Sequence, residues 1–558
     1  MNIAEEYFSN NWVHMFMNEL TSRIVADSGI PSDRFHLGKI ILQGLRDDPE
    51  FVMQIDGATG QSETNGSVLR RSIQCATSLR NIGLKKDDVI VLMGPNHLDL
   101  AIPLYAGFYL GLAVAPTDRT MNIYELQQSF GITKPKVVFC QSEKVQDVQK
   151  AVKLLQIDTK VISFDKSSDT LDFAELLETY GGKVDVNNFK ATDFKPEVTI
   201  SLLIPTSGTT GLPKSAALTH KNMAIAAPYV WSFSTNFPSP TTSSLNVAPI
   251  QWLSTLLNFM LNPFMKYLRI QTSAPITSLN VIDLINKYKP TFFISSPTML
   301  TTLLKTAEKS ACDFSSFEYV YVGGSAVPLE LIKQLKTLTP NTIVQDTYGM
   351  SEVGSLVFNC VGAPPGSCGK RYGHMLYRLV DVDTKEDIKE PNRPGELWLK
   401  GPSVFKGYYN NPETTDETFA EDGWLKTGDL LYRDENWNYY FVDRIKSLFK
   451  YGGYQISPVE IETVIRQHPG ILDVAVIGIL VSECNEIPVA CVVLRSGFKT
   501  TANEIKELVK EKLSDRKRLR GGVIFLSELP LTPSTKIHRK KLKEMVMERI
   551  SELDLQQD

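Results

Sequence analysis

Thr206-Ser207-Gly208-Thr209-Thr210-Gly211-Leu212-Pro213-Lys214-Ser215 decides how the rest of the chain is read. It follows an apolar, strand-like run at 199–204. Gly208 and Gly211 allow a tight turn and a close backbone approach to a ligand. Thr206, Ser207, Thr209 and Thr210 offer hydroxyl donors, the loop amides can form an anion nest, and Lys214 adds positive charge. This donor set suits a polyphosphate. A Walker loop would need GxxxxGK[ST]. Pro213 stands where that motif's second glycine must be, and proline has no N–H to turn toward phosphate.

Outward from this loop, short apolar runs alternate with helical patterns. Val89-Ile90-Val91-Leu92-Met93 precedes a helix beginning near His97. Val137-Val138-Phe139-Cys140 precedes a helix over 143–155. Thr291-Phe292-Phe293-Ile294 and Tyr319-Val320-Tyr321-Val322 precede helices starting near Pro297 and Pro328. Continuously apolar strands between helices predict α/β architecture, with mostly parallel sheets covered on both faces. The most apolar stretch, 101–116, is shorter than the ~20 residues of a membrane span. It reads as a buried helix running into a strand.

From about residue 380 the texture changes. Val380-Asp381-Val382-Asp383, Glu396-Leu397-Trp398-Leu399 and Tyr439-Tyr440-Phe441-Val442 read as short strands of a small antiparallel barrel or sheet. A compact α+β unit follows, with a helix over 458–467, strands over 474–479 and 489–494, and an amphipathic helix over 502–513. The predicted division is an N-terminal domain over 1–445, including a β-rich subdomain at about 375–443, and a small mobile C-terminal lobe over 446–558.

The 558 residues carry 59 Lys and Arg against 63 Asp and Glu, so no global charge draws the protein to nucleic acid or an anionic membrane. The seven cysteines, at 75, 140, 312, 360, 368, 484 and 491, form no CxxC pair and indicate a reducing compartment. The early Glu5 and Glu6 do not fit a signal or transit peptide, and the final residues are not the peroxisomal tripeptide. An intracellular, cytosolic location is expected. Histidines 14, 36, 97, 220, 374, 468 and 538 have no zinc-ligand spacing.

Further motifs follow the loop in order. They are Gly323-Gly324-Ser325-Ala326, Tyr348-Gly349-Met350-Ser351-Glu352, Gly407-Tyr408-Tyr409 and Gly423-Trp424-Leu425-Lys426-Thr427-Gly428-Asp429. After these come Asp443-Arg444-Ile445-Lys446, Lys450-Tyr451-Gly452-Gly453-Tyr454-Gln455 and Leu529-Pro530-Leu531-Thr532-Pro533-Ser534-Thr535-Lys536. Together they resemble the acyl-adenylate-forming superfamily of acyl-CoA synthetases, 4-coumarate–CoA ligases and beetle luciferases. Ser215 and Thr535 replace glycines of its pattern, Ser351 stands for its threonine, and Gly452 stands where relatives often carry a second lysine.

The resemblance implies two half-reactions. A carboxylate attacks the α-phosphate of ATP, and a thiol then displaces AMP. It places Thr206, Ser207, Gly208, Thr209, Thr210, Gly211 and Lys214 at the phosphates. Gly323 falls beside the substrate pocket, while Gly324, Tyr348 and Gly349 fall around the adenosine. Asp429 and Arg444 meet the ribose, because one carboxylate can accept from a vicinal diol. Glu352 becomes the Mg²⁺ anchor, and Ser351 lies near the α-phosphate. Lys536 reaches the phosphate and the acid together. Lys446 is the hinge. Lys450, Gly453 and Gln455 serve thioester formation with coenzyme A.

The family's acid-pocket segment aligns with residues 246–254. Beetle luciferases resemble Pro-Phe-His-His there, where this chain has Pro249-Ile250-Gln251-Trp252. Gln251 and Trp252 are therefore pocket candidates, and the missing imidazoles leave luciferin oxidation without a base. The implied function is an ATP-dependent ligase joining a hydrophobic fatty or aromatic acid to coenzyme A. A luciferase-like monooxygenase and a catalytically weak binding protein are the alternatives.

Overall fold

The computed structural model describes residues 3–207, 213–233, 243–305, 311–325, 327–451, 454–482, 485–532 and 536–555. The chain forms two compact units. The first comprises Met1–Gly324, Leu329–Leu376 and Leu399–Leu425; the second comprises Ser325–Pro328, Tyr377–Trp398 and Lys426–Asp558. Compactness thus groups most of the β-rich segment with the C-terminal residues. The proposed hinge at Lys446 concerns motion, a separate matter.

Two sheets organise the first unit. The six-stranded sheet runs in the order Lys160–Ser163, Val137–Cys140, Val89–Leu92, Ala113–Pro116, Ile200–Ser207, Pro213–Thr219. Every neighbouring pair is parallel except the last. Its strands are apolar along their length because helices cover them. Leu126 and Phe130 of Ile123–Thr133, with Val145, Val148 and Val152 of Val145–Leu155, pack against Val89, Val91 and Val138. The predicted helix-to-strand passage is present: helix Ala101–Leu110 leads through left-handed Gly111 into Ala113–Pro116.

The seven-stranded sheet runs Ile343–Thr347, Tyr319–Gly323, Phe292–Ser295, Ser243–Leu245, Leu268–Gln271, Val52–Asp56, Ser62–Thr64. It is parallel except at its Ser62–Thr64 edge. In open α/β sheets, ligands gather at the carboxyl ends of the strands. The 323–324 glycines and the Tyr348 motif begin at two such adjacent ends.

In the second unit, the strand-rich segment forms a four-stranded sheet, Leu376–Val380, Gly395–Lys400, Leu425–Arg433, Tyr439–Arg444. The strand expected at 380–383 is displaced toward the N-terminus. The Asp381 carboxylate accepts from the amides of Asp383 and Thr384, which turns the chain there. A three-stranded sheet, Ile471–Ser482, Asn485–Leu494 and Val523–Phe525, is backed by Pro458–Ile465 and Ala502–Lys512. Ile461, Ile465, Ile505 and Val509 fill its core, as the amphipathic spacing predicts. Among the described residues no helix is long and apolar enough to cross a membrane.

Candidate active site

The glycine loop joins two antiparallel strands. Thr206 pairs with Lys214 and Ser207 with Pro213 across Ile200–Ser207 and Pro213–Thr219. A Walker loop leads from a strand into a helix, so this hairpin independently excludes that reading. The candidate loop residues Gly208, Thr209, Thr210 and Gly211 lie outside the described residues. Ser215, one of the two glycine replacements, sits in extended strand backbone that needs no glycine.

Residues 405–409 join this hairpin to the Tyr348 motif. Lys406 N donates to Ala217 O, Ala217 N to Gly407 O, and Tyr409 N to Ser215 O. Phe405 N donates to Glu352 O. Gly407 has φ of 135°, and a Cβ there would lie 2.4 Å from Thr415 Cγ2, so only glycine fits. Tyr408 is thereby brought between two candidate residues. Its hydroxyl donates to Glu352 Oε1 at 2.7 Å, and Lys214 Nζ lies 5.2 Å from its ring centroid. The sequence alone gives Tyr408 no role. The usable signal was that glycine followed by an aromatic residue.

Gly323 ends strand Tyr319–Gly323 and pairs with Thr347, and Gly324 follows it with a positive φ. A Cβ on Gly323 would lie 2.6 Å from Thr347 O, so the small residue is what permits this contact. Tyr348 follows, half-buried, with its ring 5.8 Å from that of Phe358. Gly349 and Met350 form a two-residue strand, and the turn after it carries half-buried Ser351 and Glu352. Asp346, just upstream, was not anticipated. Burial pushes its carboxyl up to about 7, with the Thr347 amide opposing.

Trp252 caps the start of helix Leu253–Met265 and is half-buried, as is Gln251. Neither side chain belongs to the fully buried core. The segment before it is tied across the unit. Asn96 Nδ2 donates to Ala248 O at 2.8 Å, and Thr255 Oγ1 donates to the same oxygen at 2.7 Å.

In the second unit, Asp429 and Arg444 face each other across an antiparallel pair, with Arg444 Nε 3.3 Å from Asp429 Oδ1. Asp429 is buried and Arg444 exposed. Gly428 N donates to Glu396 Oε1, which anchors the turn before Asp429. Asp443, unassigned in the sequence, is buried and accepts from Ser457 Oγ, Arg444 N and Val459 N. Burial raises its carboxyl against those three donors. It therefore fixes the chain on both sides of Lys446, which lies exposed in the short turn Ile445–Ser447.

Lys450 pairs with Gln455 in the hairpin Phe449–Tyr451/Tyr454–Ile456, while Gly453 lies outside the described residues. Lys536 bonds back to Thr532: Thr532 N donates to Lys536 O, and Lys536 N to Thr532 Oγ1. Thr535 lies outside the described residues. Of the basic residues that follow, Arg539 is engaged elsewhere, donating to Glu462 Oε1 and Val476 O. The structure thus assembles Lys214 with Glu352 in one unit and Asp429 with Arg444 in the other. Among the described residues no cluster of three or more His, Cys, Asp or Glu could hold a metal. A lone carboxylate fits Mg²⁺ bound chiefly through substrate phosphates.

Comparison with known proteins gives the chain's family. Residues 43–409 match the AMP-binding enzyme family, and residues 460–536 match the AMP-binding enzyme C-terminal domain. The chain is 33% identical to luciferin 4-monooxygenase of Nipponoluciola cruciata, over 89% of this chain and 92% of that one. It is 28% identical to 4-coumarate-CoA ligase 1 of Narcissus pseudonarcissus, over 92% and 94%. The fold matches ATP-bound MatB from Rhodopseudomonas palustris with a TM-score of 0.80 and 23% identity, over 90% of this chain and 98% of that one. Fold and motifs together define an adenylate-forming enzyme of the acyl-CoA ligase kind. The chain belongs to the AMP-binding enzyme family.

Proposed function

We propose that the protein is an ATP-dependent acid–thiol ligase that activates a hydrophobic fatty or aromatic acid as its adenylate and transfers the acyl group to coenzyme A. The observation that carries this reading is the convergence of Lys214, the Tyr408 hydroxyl and Glu352 beside the hairpin that presents the glycine loop.

The chemistry follows from charge. Carboxylates are poor electrophiles, and adenylation provides a good leaving group. Attack on the α-phosphate concentrates negative charge on its oxygens, so fixed cations and N–H donors at that centre lower the barrier. Lys214 and the loop donors bind the phosphate chain, with Thr206, Ser207 and Ser351 supplying hydroxyls. Glu352 would hold Mg²⁺, which neutralises phosphate charge when bound. Asp429 takes the ribose hydroxyls, steadied by Arg444. Tyr348 flanks the adenine, with Gly323, Gly324 and Gly349 leaving room for the ligand. Lys536 meets the α-phosphate and the acid's carboxylate. Lys450, Gly453 and Gln455 serve the second half-reaction after rotation about Lys446, since hinges are few loop residues that absorb large dihedral changes. Gln251 and Trp252 bound the acid.

The similarity to luciferin 4-monooxygenases keeps an oxygenase as the second reading. Gln251 and Trp252 oppose it, because neither is a base. Acid-dependent ATP–pyrophosphate exchange across C4–C18 fatty acids and cinnamates tests the proposal. Exchange with one acid class supports it. No exchange with any acid, or light emission with a luciferin, overturns it.

A further inference from the structure

Two opposite charges attend one aromatic side chain in the first unit. The ammonium of Lys214 lies over the Tyr408 ring, and the hydroxyl of that ring donates to Glu352. All three are half-buried. Lys214 and Glu352 form no ion pair with each other among the described residues. A flexible lysine and a carboxylate on opposite ends of one phenol would otherwise be free to fold together. A direct pair would use up the cation meant for phosphate and the carboxylate meant for metal.

The backbone that carries Tyr408 is laced on three sides. Strand Pro213–Thr219 holds it through Ser215 and Ala217, and the turn bearing Glu352 holds it through Phe405. Thr415 of helix Pro412–Thr418 accepts from Tyr408 N at 2.9 Å. Gly407 alone can take the backbone shape this requires. The phenol is thus held by the same strand that bears Lys214 and the same turn that bears Glu352. Its spacing from both charges does not depend on its own rotamer alone.

We propose that Tyr408 is a positioning residue for the metal and phosphate site. Its ring holds Lys214 on one side, and its hydroxyl fixes the orientation of the Glu352 carboxylate, so that the two charges stay apart and available. This rests on the role given to Glu352 under the proposed function. A partner that orients a metal-ligating carboxylate typically changes metal affinity by ~10–100-fold when removed.

Tyr408→Phe keeps the ring and the Lys214 contact and deletes only the donor. The probe is Mn²⁺ binding, read by electron paramagnetic resonance with a non-hydrolysable ATP analogue present. Analogue affinity is also measured in EDTA, and a melting curve is recorded for each protein. Tyr408→Phe is expected to weaken Mn²⁺ by ~10-fold or more while metal-free analogue affinity stays near the native value. Tyr408→Leu should weaken both, because it also releases Lys214. A folded Tyr408→Phe protein with native Mn²⁺ affinity overturns this proposal alone. A native protein that takes up the analogue but no Mn²⁺ overturns both this proposal and the metal role of Glu352.

Discussion

Asp346→Asn should stabilise the protein at neutral and alkaline pH and do little in acid. Asp346 lies on strand Ile343–Thr347, paired with Val322 at the carboxyl end of the seven-stranded sheet. Burial lifts its carboxyl from 3.8 to about 7. A carboxyl raised on folding keeps its proton in the folded chain after the unfolded chain has released it. Its stabilising effect is therefore complete below the unfolded value and declines as pH rises toward 7. At ~1.4 kcal/mol per pH unit, the rise from 3.8 to about 7 sets a ceiling of ~4 kcal/mol for the cost of ionising it in place. Asparagine has nearly the same shape and never ionises. Denaturant midpoints of the native protein and the variant, measured from pH 5 to pH 8, should diverge by ~2–3 kcal/mol over that range, then run parallel above it. A gap that does not change with pH, or a variant less stable at pH 8, would refute a half-buried carboxyl held up to about 7.

Three further outcomes are expected. Lys536→Ala should slow adenylate formation at least ~100-fold, the scale of losing one transition-state donor, and largely spare thioester formation from supplied acyl-adenylate; equal loss in both half-reactions would remove its role. Lys450→Ala should do the opposite, keeping pyrophosphate exchange and losing transfer to coenzyme A, and a parallel fall in exchange would count against two separate conformations. Trp252→Gly should shift the acid profile toward longer or bulkier acids, by ~1–3 kcal/mol per methylene admitted. A well-folded variant with an unchanged profile would make Trp252 purely structural.

The parts of the fold that were legible in the sequence are those where local pattern and burial agree. The runs at 89–92, 137–140 and 319–323 are apolar on both faces because helices cover both sides, and they read as strands at once. The 380–383 strand misled because valines alternate with aspartates there. The alternation mimics a half-buried strand, but the Asp381 side chain competes for the backbone amides and forms a turn.

The site divides in the same way. The glycine loop, the Tyr348 motif and the Asp429 turn are contiguous in sequence, so their residue types could be read directly. The bond from Tyr408 to Glu352 joins positions far apart in sequence and depends on the backbone lacing around Gly407. Asp346 escaped notice because its shift comes from enclosure by the sheet, which no local pattern announces. Ser215 replaces the family's glycine in an extended strand, where a side chain is readily accommodated.

The most direct test of the central claim is the product balance of a single reaction. Purified protein, ATP, Mg²⁺, coenzyme A and the acid that best supports pyrophosphate exchange are incubated, and AMP and acyl-CoA are counted by chromatography. Acid–thiol ligation predicts AMP and acyl-CoA in equal amounts, both abolished by omitting the acid. AMP without thioester, or ADP as the nucleotide product, would contradict it.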